Sequence, residues 1–276
     1  AMLHEAIARY LPAVALLEAP AASDGQLALV HTPDYIESLV SGQISAAALR
    51  EIGFPWSPAM VERSRRSVGA TLAACAAASI DGISVNLAGG THHAFRERGS
   101  GFCVFNDAAI AAKVLQTISN PKAKIAIIDL DVHQGDGTAS IFQGDPTVFT
   151  LSLHGERNYP FNKQLSSLDV PLPDACEDDA YLEALDAALE QVKARFEPQF
   201  VLYLAGADPH ESDRLGRLKL TKAGMATRDL MAMQYAQSQH CPMAIMMAGG
   251  YSTDVNQIVE IHLQTVRLAA AQRKVI

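Results

Sequence analysis

The sequence predicts an α/β fold: a central, mostly parallel sheet covered by helices on both faces, giving three layers. Three observations predict it. Short apolar runs alternate along the chain with longer segments of helical character, the order that a parallel sheet with crossover helices requires. The runs are mostly continuous rather than alternating, as expected for strands buried on both faces. Polar, ionisable or glycine-rich residues follow each run, and open parallel sheets bind ligands at the carboxyl ends of their strands.

Taken in order, an opening helix is expected through about Leu17, kinked at Pro12 because proline lacks the N–H of a helix interior. Residues 26–31 read as a short strand. Thr32-Pro33 starts a short helix. Ser57-Pro58 starts a longer one, to about Ser79, with a capping hydroxyl followed by proline at the first helical position. Central strands are expected at 83–88, 124–130, 148–153, 200–205 and 243–248. Helices are expected at 107–118, 178–196, 222–237 and 254–273. No repeat, low-complexity linker or compositional break divides the chain, so residues 1–276 are expected to form one domain.

Hydrophobic residues make up 49% of the 276 and charged residues 19%, which excludes a disordered chain and allows a substantial core. The net charge of −8 argues against strong non-specific binding to nucleic acid, which requires phosphate neutralisation. Cys75, Cys103, Cys176 and Cys241 lack C-x-x-C spacing, which fits a reducing compartment better than a disulfide framework. No apolar run reaches membrane-spanning length, and the opening residues are not expected to be a signal peptide. A cytoplasmic protein with no membrane partner and no direct nucleic-acid partner is the expectation.

Chemistry enters at the end of the second predicted strand, Asp129-Leu130-Asp131-Val132-His133. Side chains alternate across a strand, so Asp129, Asp131 and His133 are expected on one face. Two carboxylates and an imidazole are costly to bury unless a cation offsets them, and this ligand set suits zinc. Asp208, in Ala205-Gly206-Ala207-Asp208, occupies an equivalent strand end and is the candidate third ligand. An isolated Asp-x-His is more often a helix cap or an ion pair; convergence of several strand ends favours the metal. His92 and His93 follow a Gly-Gly turn and are candidates for the base and acid of amide hydrolysis, with Asp129 and Asp136 available to orient them. A bare His-His pair is otherwise an ordinary surface feature, or two metal ligands. Tyr251, after Gly249-Gly250, is a candidate oxyanion donor, the glycines letting backbone approach a ligand; alone, it reads as a half-buried turn tyrosine. Phe102 and Phe161 lie in loops and are candidate pocket walls. Cys103 more readily packs than reacts.

Together these motifs resemble the zinc-dependent histone deacetylase family, which includes acetylpolyamine amidohydrolases. The matching strings are Gly89-Gly90-Thr91-His92-His93-Ala94, Gly101-Phe102-Cys103-Val104-Phe105-Asn106-Asp107, Asp129-Leu130-Asp131-Val132-His133-Gln134-Gly135-Asp136-Gly137-Thr138, Ser152-Leu153-His154, Ala205-Gly206-Ala207-Asp208 and Gly249-Gly250-Tyr251. They occur in family order across roughly residues 55–255. Gly53-Phe54-Pro55-Trp56-Ser57-Pro58 and Asp213-Arg214-Leu215-Gly216 look most like the class IV branch and its bacterial relatives.

The resemblance implies an arginase/deacetylase-like fold and hydrolysis of the N-acetyl or N-acyl amide of lysine side chains. It implies one zinc on Asp131, His133 and Asp208. His93, oriented by Asp136, resembles the general base and acid; His92, paired with Asp129, its electrostatic partner; Tyr251 the carbonyl-polarising phenol. Phe102 and Phe161 resemble the walls of an acyl-lysine channel, with Gly101 and Leu215 at its sides; Gly249 and Gly250 are further expected substrate-binding residues. A structural potassium ion would use Asp129, Asp131, His133, Ser152 and Leu153. Two departures from the family pattern are expected: the sequence starts after the family's first strand and rim loop, which were either removed or are lacking, and Pro55 stands at the position nearest to the rim aspartate that class I members carry. The expected partner is an acetylated lysine peptide or acetylated amine. Rival expectations are an amidohydrolase of acetylated polyamines or other small N-acyl amines, arginase-type dinuclear chemistry, and an inactive ligand-binding or scaffold member.

Overall fold

A computed structural model describes residues 2–272. The chain runs α1 (Met2–Tyr10), α2 (Asp24–Leu27), α3 (Pro33–Val40), α4 (Ala46–Ile52), α5 (Pro58–Asp81), β1 (Ile83–Asn86), α6 (Asp107–Ile118), β2 (Ile125–Asp129), α7 (Asp136–Phe142), β3 (Val148–Gly155), β4 (Leu168–Leu172), α8 (Asp178–Arg195), β5 (Phe200–Ala205), α9 (Lys222–Ser238), β6 (Met243–Met247) and α10 (Val255–Gln272). Arg273, the expected end of the last helix, lies outside the described residues.

The six strands form one sheet in the order β1-β6-β5-β2-β3-β4, and every pair is parallel. One apolar layer fills the space between the sheet and α5 and α6, with Val68, Phe105, Ile110, Ile127 and Leu202 among its buried side chains. The opposite layer, with Ile128, Leu151, Tyr181, Leu189 and Ile245, packs against α8 and α9. The continuous apolar runs follow directly from this burial on two sides. The helices begin where capping chemistry allows. Ser57 accepts a hydrogen bond from Met60 N at 3.1 Å, with Pro58 at the first turn of α5, and Asn106 accepts one from Ala109 N at 2.9 Å to open α6.

Strand order reverses beside β2. The chain lays β3 and β4 to one side of it, then returns to place β5 and β6 on the other. Ligands of open α/β sheets bind at such a switch point, and the carboxyl ends of β2, β5 and β6 meet there.

Two expectations are corrected. Residues 26–31 are not a strand: Ser23 and Gln26 form a reciprocal capping box that starts α2, and turns follow. The opening helix ends at Tyr10 rather than near Leu17. Strand β4 and helices α4 and α7 were not expected.

Candidate active site

Three ligand-type residues converge at the switch point. Beyond β2 the backbone turns back on its own carboxylates: Asp131 N donates to Asp129 Oδ1 at 3.2 Å, and His133 N donates to Asp131 Oδ1 at 2.9 Å. Such local side-chain bonds are how aspartate shapes a turn. From the end of β5, Asp208 Oδ1 accepts from Val132 N at 3.0 Å. Asp131, His133 and Asp208 each offer an atom within 4.8 Å of the others, the one cluster of this kind found among the described residues. His133 Nδ1 stands 3.0 Å from Asp131 Oδ1 and 3.2 Å from Asp208 Oδ2. Asp208 Oδ2 is buried without a hydrogen-bond partner, so its approach to His133 lacks bonding alignment.

These donors fit a divalent cation. Two buried carboxylates and an imidazole with one oxygen left unpaired is a costly arrangement for a chain alone, and a matched one for a metal. The electrostatics agree. Burial and the neighbouring Asp131 charge raise Asp208 to about 7. Burial works against a charged His133, but the adjacent Asp131 and Asp208 carboxylates outweigh that and raise it to about 10.

Backbone crowding makes glycine necessary here. Gly249 N donates to Asp131 Oδ2 at 2.8 Å, and a Cβ on Gly249 would lie 1.9 Å from Asp208 Oδ2. Gly89 and Gly90 both have positive φ, 91° and 66°, and turn the chain after β1 to deliver His92 and His93. Asp107 fixes that turn, accepting from Gly90 N at 3.2 Å and Thr91 N at 2.8 Å.

The two imidazoles are buried side by side, ring centroids 4.0 Å apart. His92 Nδ1 is 2.6 Å from Asp129 Oδ2, and His93 Nδ1 is 2.6 Å from Asp136 Oδ1. Despite this symmetry their charges differ. Burial opposes a charged His92, yet the Asp129 and Asp131 carboxylates prevail and raise it to about 9. Burial, then the charge of His92, pushes His93 down to about 4.

Around this pair, Tyr251 lies 6.5 Å from His133 and 6.1 Å from Phe102, ring to ring. Asp213 accepts from Tyr251 N at 2.6 Å and from Leu215 N at 2.8 Å, tying that loop to the tyrosine. Burial, followed by the charges of Asp131 and Asp208, pushes the Tyr251 phenol up, so it stays a donor. Phe102 sits at φ 64°, held by Phe102 N donating to Ile52 O at 2.8 Å. Gly101 presses on His93: its Cβ would lie 2.7 Å from the ring.

Phe161 is 85% exposed and packs on Tyr159 at 6.3 Å. Tyr159 itself meets His93 edge-on at 4.9 Å and hydrogen-bonds Ser100 through its hydroxyl. The sequence reading missed Tyr159, although the Tyr159-Pro160-Phe161 string offered it. Leu215 is half exposed. Ser152 pairs in register with Asp129 across β2 and β3; its hydroxyl contacts His154 Nδ1 at 2.9 Å. A cleft of about 520 Å³ beside the site is lined by Phe54, Arg63, Thr91, Phe102 and Phe105; it touches the loop before His92 and none of the three ligand-type residues.

A parallel sheet with an Asp-His-Asp cluster and two His–Asp pairs at its switch point defines a hydrolase-type centre of arginase/deacetylase architecture. The chain belongs to the histone deacetylase family: residues 1–266 match the histone deacetylase domain. It is 44% identical over 236 residues to a protein of Picosynechococcus, covering 86% of this chain and 78% of that one. It is 30% identical to histone deacetylase 2 of Arabidopsis thaliana, covering 91% and 67%, and 34% identical to the acetoin utilization protein AcuC of Bacillus subtilis, covering 86% and 66%. An HDAC homolog from Aquifex aeolicus superposes with TM-score 0.83 at 27% identity, covering all of this chain and 78% of that one. An HDAC homolog complexed with SAHA gives the same TM-score at 28% identity. Family and structure together support a deacetylase.

Proposed function

We propose that this chain hydrolyses the N-acetyl or N-acyl amide of lysine side chains, with one zinc ion held by Asp131, His133 and Asp208. The observation that carries the reading is the pairing of that cluster with two buried imidazoles, each held through Nδ1 by its own aspartate at 2.6 Å. A divalent cation held there would supply Lewis acidity towards the acyl carbonyl and would lower the pKa of water towards about 7.

The chain's own groups do the rest. His93, neutral and fixed through Nδ1 by Asp136, takes the proton of the attacking water at its free Nε2. The same nitrogen then passes a proton to the departing amine, so acid and base are one residue. His92 stays charged against Asp129 and favours the negative charge that develops beside it. Tyr251 donates its phenolic hydrogen to the acyl oxygen, the oxyanion role. Phe102 and Tyr159 face the site as aromatic surfaces for an aliphatic chain, with Phe161 and Leu215 at the rim. Ser152 beside Asp129, with Asp131, His133 and Leu153, would hold a structural potassium ion at the root of these strands.

The test is turnover of an acetyl-lysine peptide against acetylpolyamine by chelator-stripped protein with and without added Zn2+. Zn2+-dependent turnover of the peptide supports the reading. Turnover confined to the polyamine assigns a small-amine amidohydrolase, and no turnover of either by zinc-loaded protein assigns a binding or scaffold role.

A further inference from the structure

Beneath the acid cluster the molecule buries a complete ion pair that the chemistry above does not use. Arg228 and Asp229 lie on α9, 0% and 1% exposed. Asp229 Oδ1 accepts from Arg228 Nε at 2.9 Å and Nη2 at 2.7 Å. The acid is held in turn by the Tyr203 hydroxyl and by Thr265 Oγ1, which donates to Oδ2 at 2.6 Å. Burying such a pair costs several kcal/mol per ion before its attraction is counted, and apolar residues of similar volume often serve stability as well. Stability alone therefore gives little reason for an arginine here.

Its remaining arm supplies the reason. Arg228 Nη1 donates to Gly206 O at 2.6 Å and to Leu130 O at 3.2 Å. Leu130 directly precedes Asp131, and Gly206 stands two residues before Asp208. These carbonyls sit just past the ends of β2 and β5, where Leu130 N still donates to Leu204 O at 3.2 Å. One planar guanidinium therefore grips both strand ends at the point where the sheet ceases to hold them. Only a rigid fork does this while also pairing with a carboxylate; a lysine ammonium on a flexible stem does not.

We propose that Arg228 is a positioning residue that fixes the separation of the strand ends carrying Asp131 and Asp208, and so sets the affinity of that cluster for a divalent cation. The inference rests on the metal reading given above. Metal ligands tolerate only a few tenths of an ångström of displacement, and loss of outer partners that orient them costs roughly 10–100-fold in affinity.

The experiment is Co2+ titration of the chelator-stripped full chain, read by visible ligand-field absorption and by competition with a chelator. The wild type is expected to bind one Co2+, and Asp131→Asn to lose it. Arg228→Lys keeps the buried charge and is expected to bind roughly 10–100-fold more weakly, with an altered ligand-field spectrum and a native far-UV CD spectrum. Native fold with wild-type affinity and spectrum overturns the positioning role. Should Arg228→Lys not fold, Thr265→Val decides: it loosens Asp229 and leaves Arg228 in place. A few-fold loss of Co2+ affinity supports the role, and unchanged affinity overturns it. A wild-type chain that binds neither Co2+ nor Zn2+ overturns the metal reading itself, and the positioning role with it.

Discussion

At the scale of single residues, the site separates two chemically identical side chains. His92 and His93 each have one aspartate at 2.6 Å. What differs is the second carboxylate: His92 Nε2 also lies 3.9 Å from Asp131 Oδ1, while His93 has the His92 cation for a neighbour. That asymmetry leaves His93 neutral at neutral pH, the state that the proposed base role requires. Changing His93 to Ala should cut turnover about 10²–10⁴-fold with metal content intact; unchanged turnover would remove His93 from the chemistry. Gly249→Ala makes the opposite demand. Its new methyl would collide with Asp208 Oδ2, so metal stoichiometry should fall while the acid and base residues stay in place. Elemental analysis of the purified variant checks this. Polar residues of the centre were legible in sequence because each ends an apolar run and so has no apolar explanation. The wall was less legible. Phe161 and Tyr159 are two apart in one loop, and only packing decides that Tyr159 turns inward to His93 while Phe161 stays in solvent.

At the scale of elements, α5 carries the clearest prediction. Glycine inside a helix ordinarily costs about 1 kcal/mol relative to alanine, so replacing Gly69 with Ala would ordinarily stabilise. Here a Cβ at Gly69 would lie 1.7 Å from Pro20 O, where the segment from Pro20 to Ala22 crosses the helix and Ala22 N donates to Arg65 O at 3.0 Å. Gly69→Ala should therefore lower the melting temperature, and a rise would show that the crossing segment gives way freely. The sign is set by tertiary contact, which propensity does not contain. The same limit explains which elements could be read. Strands β2, β3, β5 and β6 are buried along their whole length and stand out as apolar runs. Strand β4 is a half-exposed edge containing Pro171, a residue tolerated on edges and not in central strands, so it carries no such signal. Residues 26–31 contain the short apolar run Leu27-Ala28-Leu29-Val30, which suggests a strand, but the Ser23–Gln26 capping box starts a helical turn first. Helices α4 and α7 are seven residues each, too short for periodicity to register.

At the scale of the whole molecule, buried neutral histidines link stability to pH. His31 and His262 are both pushed down from about 6.5 to about 4, in each case chiefly by burial. They lie on different elements: His31 Nε2 accepts from Asn106 N at 3.0 Å at the start of α6, and His262 sits on α10. In the unfolded chain both take up a proton as pH falls through about 6.5, whereas the folded chain resists until about 4. Between these values the unfolded state binds more protons, so stability rises with pH. Their contribution is complete above about 6.5, declines as pH drops towards 4, and is lost below that. A shift of this size corresponds to about 3 kcal/mol for each histidine, against a typical total of about 5–15 kcal/mol for a domain, so protonation of these two histidines should lower stability measurably as pH falls from 6.5 towards 4. His262 Nδ1 has no hydrogen-bond partner, so His262→Leu removes the titrating group without orphaning another. That variant should flatten the fall in melting temperature between pH 6.5 and 4 by roughly half of the two-histidine effect. A pH profile that remains parallel to the wild type would mean that His262 is already protonated in the folded chain, and that the acid sensitivity of the fold has another origin.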